Sequence, residues 1–240
     1  AIEPSTGEVL CMASSPTFDP QMLVGRKRGE NHRLLSQDKQ KPLLNRAIMG
    51  TYPPGSTFKL LQGLVGLQEG VLHPSDTHHC YDGYSYGVGS ARRTLGCHIH
   101  ASPLDLRNAV AESCNAYFCE VFEDILRNKA NGSTRNNLQR WMEYVSSFGF
   151  GQVLDSDFNG EKGGVIPSPA LYDKKYPSGW NWGTAISCAI GQGEIGCTPL
   201  QMANFAATIA NRGYYYTPHI IKAVEGEEDI DPRFKERHYA

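Results

Sequence analysis

Tyr52-Pro53-Pro54-Gly55-Ser56-Thr57-Phe58-Lys59-Leu60-Leu61-Gln62-Gly63-Leu64-Val65 is the stretch on which the reading of this chain turns. Two prolines and a glycine interrupt regular structure up to residue 55. From Ser56 onward Phe58, Leu60, Leu61, Leu64, Val65 and Leu67 keep an apolar face, so a helix is expected from Ser56 with a stop at Gly70. Ser56 and Lys59 then share a helix face three residues apart, where the amine can reach the hydroxyl. Serine is a weak nucleophile at its free pKa, and a partly buried lysine that loses its proton can activate it. The helix N-terminus adds backbone N–H groups that favour developing negative charge. A bare Ser-x-x-Lys arises about once by chance in a chain of this size. A second copy, Ser36-Gln37-Asp38-Lys39, lies in a charged stretch with no helix behind it, which leaves Ser56 as the candidate nucleophile.

Upstream, residues 2–13 are expected to form a hairpin turning at Pro4-Ser5-Thr6-Gly7-Glu8, and residues 14–54 an extended surface segment. Downstream, residues 73–101 lack an apolar period and read as loop. Helices are expected over 104–112, 116–127 and 138–148, the first two broken at Ser113-Cys114-Asn115. A tight turn there presents Ser113, able to pass a proton, and Asn115, both donor and acceptor, to one cleft. Thr198, Pro199 and Gln201 form a capping box with proline at the first position of a helix that Gly213 ends. Helices in the middle and a hairpin at one end suggest an α+β domain.

The 240 residues suffice for one large domain or two small ones. They are 40% hydrophobic and 20% charged, ordinary for a globular chain. A formal charge of -2 offers no electrostatic case for nucleic acid or an anionic membrane surface. No apolar run approaches the roughly 18–20 residues that span a bilayer. Both ends read as cut, so residues 1–240 are expected to be a partial domain.

Taken together, Ser56-x-x-Lys59 and Ser113-x-Asn115 resemble the penicillin-binding protein and serine β-lactamase superfamily, whose third motif is a Lys-Thr-Gly strand. Asn45-Arg46-Ala47 ahead of Tyr52–Lys59 resembles the nucleophile region of class B penicillin-binding proteins. So do Glu3-Pro4-Ser5-Thr6-Gly7-Glu8-Val9-Leu10 and Gly191-Gln192-Gly193-Glu194 leading into Thr198-Pro199-Leu200-Gln201-Met202-Ala203. The texture is that of the elongation-type enzymes, the penicillin-binding protein 2 group. The resemblance covers essentially the whole chain.

It implies an antiparallel sheet packed on helices with an all-helical lobe. It also implies a peptidoglycan D,D-transpeptidase in which Ser56 attacks D-Ala-D-Ala stem peptides. Lys59 would be the general base, Ser113 a proton relay and Asn115 a holder of the substrate amide. β-Lactams would acylate Ser56. It further implies anchorage in the bacterial cytoplasmic membrane with the domain facing outward, and a partner glycosyltransferase of the elongation machinery. No organic cofactor is implied. The Lys-Thr-Gly motif is absent, since Lys222 and Lys235 are the only lysines after position 200 and neither precedes Thr-Gly. That strand supplies one of two oxyanion donors, and losing one such donor costs on the order of 100- to 1,000-fold in rate, so weak activity is expected of this chain. A β-lactamase or carboxypeptidase, and a non-catalytic β-lactam sensor, are the rival readings.

Seven cysteines cannot all pair within one chain. Cys80, Cys97, His100 and Cys114 make a donor set suited to a closed tetrahedral zinc site. Some elongation-type relatives carry zinc in this loop, with a His and a Cys at the places of His100 and Cys114 and carboxylates at those of Cys80 and Cys97. A Cys80–Cys97 disulfide competes with this reading, and His78, His79 and His98 compete as ligands. Cys11, Cys119, Cys188 and Cys197 read as packing residues.

Overall fold

A computed structural model describes residues 1–226 and 229–240. In chain order these form α1 (Arg28–Gln37), α2 (Arg46–Met49), α3 (Lys59–Gln68), β1 (Gly83–Tyr86), β2 (Arg93–Gly96), α4 (Leu106–Ala111), α5 (Asn115–Leu126) and α6 (Thr134–Ser147). Then come α7 (Pro169–Lys175), α8 (Pro199–Ala210), β3 (Tyr214–Tyr216) and β4 (Arg237–Tyr239). The described strands pair as two antiparallel ribbons, β1 with β2 and β3 with β4. Two units divide the chain: Ala1–Tyr52 with Ser147–Gly164 and Cys197–Ala240, and Pro53–Ser146 with Val165–Gly196.

In the first unit, Ile48, Leu154, Leu200 and Tyr215 form a buried cluster onto which Ile2, Val9, Met12, Met49 and Phe158 pack. α8 organises it as its capping signals predict. The Thr198 hydroxyl accepts the Gln201 N–H, and the Gln201 side chain accepts the Thr198 N–H in return. The Gln201 amide nitrogen also faces the carbonyls of Gly149, Gln152 and Gly163 at 3.0, 2.9 and 2.8 Å, tying the chain around one buried side chain. The expected hairpin over 2–13 is present in short form: Ile2 bridges Val9, the Glu3 and Leu10 N–H groups donate across it to the Glu8 and Ala1 carbonyls at 2.8 and 2.9 Å, and Glu8 bridges on to His219.

The segment 14–54 is less extended than its sequence suggests. α1 is a polar helix that buries only Leu35, which is why no apolar period announces it. Ser36 sits in its last turn with its hydroxyl donated to the His32 carbonyl at 2.7 Å. Lys39 lies beyond the helix end, so the decoy pair shares no helical face.

In the second unit α3 and α5 pack together with α6. Phe58, Phe118, Phe122 and Trp141 are all buried, and Trp141 meets the Phe58 and Phe122 rings edge-on at 6.2 and 5.3 Å. Burying each such side chain contributes roughly 1.5–3 kcal/mol or more. Gln62 satisfies the polar groups of this core: it accepts the Trp141 indole N–H at 2.8 Å and donates to the Cys188 carbonyl at 3.0 Å. The apolar residues of α3 separate into two sets. Leu61 and Val65 are buried beside Phe58, whereas Leu60, Leu64 and Leu67 are exposed. The loop expected over 73–101 contains the β1–β2 hairpin, with Tyr84 opposite Leu95 and Tyr86 opposite Arg93. Buried Tyr84 fastens it to α5 through a hydrogen bond to Glu123.

Candidate active site

Ser56 stands on a 3-10 turn, Gly55–Phe58, that runs directly into α3. The expected helix is present, with its first turn wound more tightly than an α-helix. Phe58, fully buried, anchors this turn from below, and Ser56 itself is exposed. A second strut comes from Gly191, whose carbonyl accepts the Gly55 N–H at 2.9 Å. Gly191 has φ +67°, and a Cβ there would stand 2.3 Å from the Gly55 carbonyl oxygen and 2.8 Å from the Phe58 Cβ. Only glycine fits.

Lys59 is 3% exposed, a cation held almost wholly out of water. Its Nζ donates to the Ser113 carbonyl at 2.5 Å, the Ser113 hydroxyl at 3.0 Å and the Asn115 Oδ1 at 2.6 Å. All three ammonium donors are thereby taken, none of them by Ser56. Burial lowers the Lys59 pKa from the ordinary lysine value, and the thiols of Cys97, Cys114 and Cys119 pull weakly the other way. The first two sequence motifs thus meet through this amine.

Ser113 has φ +52°, a left-handed conformation that costs a non-glycine residue roughly 1–3 kcal/mol. This kink separates α4 from α5 and turns the Ser113 hydroxyl and the Asn115 amide toward the same ammonium. Cys114 caps α5, its sulfur accepting the Tyr117 N–H at 3.3 Å. Asn115 is held at three points: Oδ1 by Lys59, Nδ2 by the Gly96 carbonyl at 2.8 Å, and its backbone N–H by the Cys97 sulfur at 3.2 Å. The last two belong to the end of β2 and the residue after it, contacts the sequence reading missed. Their signal lay in the two-residue alternation of Tyr84 and Tyr86 against Arg93 and Leu95.

The segments flanking this hairpin, together with the Cys114 cap of α5, carry the predicted metal ligands. Donor atoms of Cys80, Cys97, His100 and Cys114 all lie within 4.8 Å of one another. A zinc tetrahedron with about 2.3 Å Zn–S arms has edges near 3.8 Å, so modest side-chain contraction closes this set on an ion. Cys97 Sγ and His100 Nε2 already stand 3.5 Å apart. His100 Nδ1 faces the Ala101 carbonyl at 2.6 Å, which must receive a proton, leaving the Nε2 lone pair for a metal. Burial pushes the Cys97 thiol up, but the Asn115 N–H, His100, the Ala116 N–H and Cys80 outweigh it and bring it down to about 7. Burial raises Cys114 to about 12. The four donors fit a metal ion.

Every cysteine is a free thiol, Cys80 and Cys97 included. The competing histidines lie outside the set: His78 pairs with Glu120, His79 stacks on Tyr81, and His98 meets the His100 ring edge-on. Cys119, Cys188 and Cys197 are buried as packing residues should be, whereas Cys11 is exposed and packs nothing away from water.

Fold and motif order are those of the penicillin-binding transpeptidase family. The family model of the penicillin binding protein transpeptidase domain matches residues 1–239, and the chain belongs to that family. Peptidoglycan D,D-transpeptidase MrdA of Acinetobacter baumannii is 32% identical over 97% of this chain and 33% of its own length. The Escherichia coli K12 protein of that name is 29% identical over 91% of this chain and 33% of its own. Pseudomonas aeruginosa PBP2, solved in complex with WCK 5153, superposes with a TM-score of 0.81 at 30% identity, over 99% of this chain and 51% of that one. PBP2 of Helicobacter pylori, solved with MreC, gives 0.78 at 25% identity over 98% and 42%. The chain spans about a third of the length of the MrdA relatives. Its α+β architecture, helices with small antiparallel pairs, is that of the penicillin-binding transpeptidases.

Proposed function

We propose that residues 1–240 are part of the transpeptidase domain of a peptidoglycan D,D-transpeptidase of cell-wall elongation. The observation that carries this is the buried Lys59 amine, joined to Ser113 Oγ and Asn115 Oδ1 one helical turn from Ser56. Once Lys59 has lost its proton, its lone pair takes the Ser56 hydroxyl proton as Oγ attacks the carbonyl of the penultimate D-Ala. The oxyanion forms at the N-terminus of the nucleophile helix. Collapse of the tetrahedral intermediate breaks the peptide bond, and the departing D-Ala nitrogen receives a proton through Ser113, leaving an ester on Ser56. An amine from a neighbouring stem attacks that ester, forms the new amide and returns the proton to Ser56. Asn115 holds the substrate amide by its side chain.

Cys80, Cys97, His100 and Cys114 hold a structural zinc in this reading. A zinc ion bound there would steady Cys97, whose sulfur accepts the Asn115 N–H, and would supply structural support. The similarity to MrdA relatives, to PBP2 of Helicobacter pylori solved with MreC, and to a chain of a peptidoglycan synthase complex that couples polymerization and crosslinking supports action at the outer face of the cytoplasmic membrane beside a glycosyltransferase. No described helix of this chain is long and apolar enough to cross a membrane. Fluorescent penicillin should label Ser56 in the full-length protein, and Ser56→Ala should abolish labelling. Labelling that persists in Ser56→Ala sinks the assignment.

A further inference from the structure

A cleft of about 310 Å³ opens between the β1–β2 hairpin and the 3-10 turn Trp182–Thr184. Tyr86 and Arg93, directly opposite each other in the ribbon, line one side. Trp182 lines the other, its ring 6.4 Å from that of Tyr86. Gly183 belongs to the same turn, and a Cβ on it would stand 3.2 Å from the Tyr86 ring, so a glycine there leaves that ring its place. Arg127, already paired with Glu123, covers Trp182 at 6.0 Å. Arg93 is different. It forms no ion pair among the described residues and lines the cleft together with the Tyr86 and Trp182 rings.

The hairpin also fixes how far this cleft lies from the candidate chemistry. Gly96, whose carbonyl holds the Asn115 amide, is three residues along β2 from Arg93. At about 3.3 Å per residue the separation along the strand is about 10 Å, which an extended peptide covers in about three residues. We propose that Tyr86, Arg93 and Trp182 form a subsite for a carboxylate carried by the acyl-donor peptide upstream of its reacting end. The proposal rests on the transpeptidase reading, under which the donor is a stem peptide with free carboxylates ahead of D-Ala-D-Ala. The guanidinium fork matches a carboxylate in shape and charge. The two ring faces accept the aliphatic surface beside it. An incoming amine is disfavoured here by the same positive charge, so the cleft selects the donor rather than the nucleophile of the second step.

The test uses the full-length protein and two D-Ala-D-Ala donors that differ only in an upstream carboxylate or its carboxamide. Wild type should prefer the carboxylate about tenfold in kcat/KM, the scale of one partly exposed charge-assisted hydrogen bond. Arg93→Gln should bring that ratio toward one, and Arg93→Lys should recover part of it. Trp182→Ala should weaken both donors. Equal kcat/KM for the two donors in wild type overturns the subsite, and that measurement does not depend on any variant folding. So does an unchanged ratio in a folded Arg93→Gln. Fluorescent penicillin on wild type separates the two ideas: labelled Ser56 with no donor preference fails the subsite alone. An unlabelled Ser56 with no turnover of either donor fails the transpeptidase reading and the subsite with it.

Discussion

Lys59 concentrates the chemistry at the scale of single residues. A charged amine at 3% exposure survives because three oxygens surround it, and the same burial depresses its pKa. The neutral, proton-accepting form therefore gains population as pH rises toward a midpoint below the ordinary value of 10.5. The acylation rate with penicillin should climb across that range, and a profile flat to pH 10 contradicts Lys59 as base. Linkage gives the matching sign for stability: the folded state loses the Lys59 proton first, so stability contributed by this residue increases with pH up to the unfolded pKa. Lys59→Arg should acylate at background level, since guanidinium does not deprotonate in proteins. Ser113→Ala should slow acylation by about 100-fold or more, the usual range for a positioned proton-transfer group. Its melting temperature should barely move, because the Ser113 carbonyl still holds Lys59.

Elements matter through what they press against the nucleophile turn. Gly191 closes the 3-10 helix Ile186–Ile190 and braces Gly55 from the side, with no room for a methyl group. Gly191→Ala should destabilise by about 2–4 kcal/mol, combining a left-handed alanine with a backbone clash. Urea unfolding measures the loss, and a change within 0.5 kcal/mol would show that the turn yields easily. The β1–β2 hairpin reaches the site from another direction, through Gly96 and Cys97. If the cluster beside it holds zinc, protein purified without added metal should contain about one zinc per chain. A strong chelator should then raise the thiol titre, lower the melting temperature and slow penicillin acylation together. Metal content near zero, with thiols released only by a reductant, would favour the disulfide.

At the scale of the whole molecule, each unit carries its own core, and stability should be distributed accordingly. Amide exchange should be slowest in α3, α5 and α8, whose backbones are buried under aromatic and leucine side chains, and fast in α1, which buries Leu35 alone. Equal protection of α1 and α5 would contradict this ranking. The sequence announced elements whose signals are local. The Thr198–Gln201 capping box, the helix behind Ser56 and the break at Ser113 need only near neighbours. It concealed those whose reasons are remote. α1 has no apolar period, and the hairpin is defined by Tyr84 meeting Glu123, 39 residues away. The candidate site divides the same way: Ser56, Lys59, Ser113 and Asn115 were legible as motifs, while Gly96 acts through a carbonyl that any residue possesses. One contact has a pharmacological consequence. The Asn115 N–H rests on the Cys97 sulfur, so if the cluster holds zinc and Ser56 is the nucleophile, stripping the metal would also disturb the Asn115 side of the site in which Ser56 reacts with a β-lactam. A chelating adjuvant and a β-lactam would then antagonise each other at this target, because the first drug spoils the conformation that the second must react with.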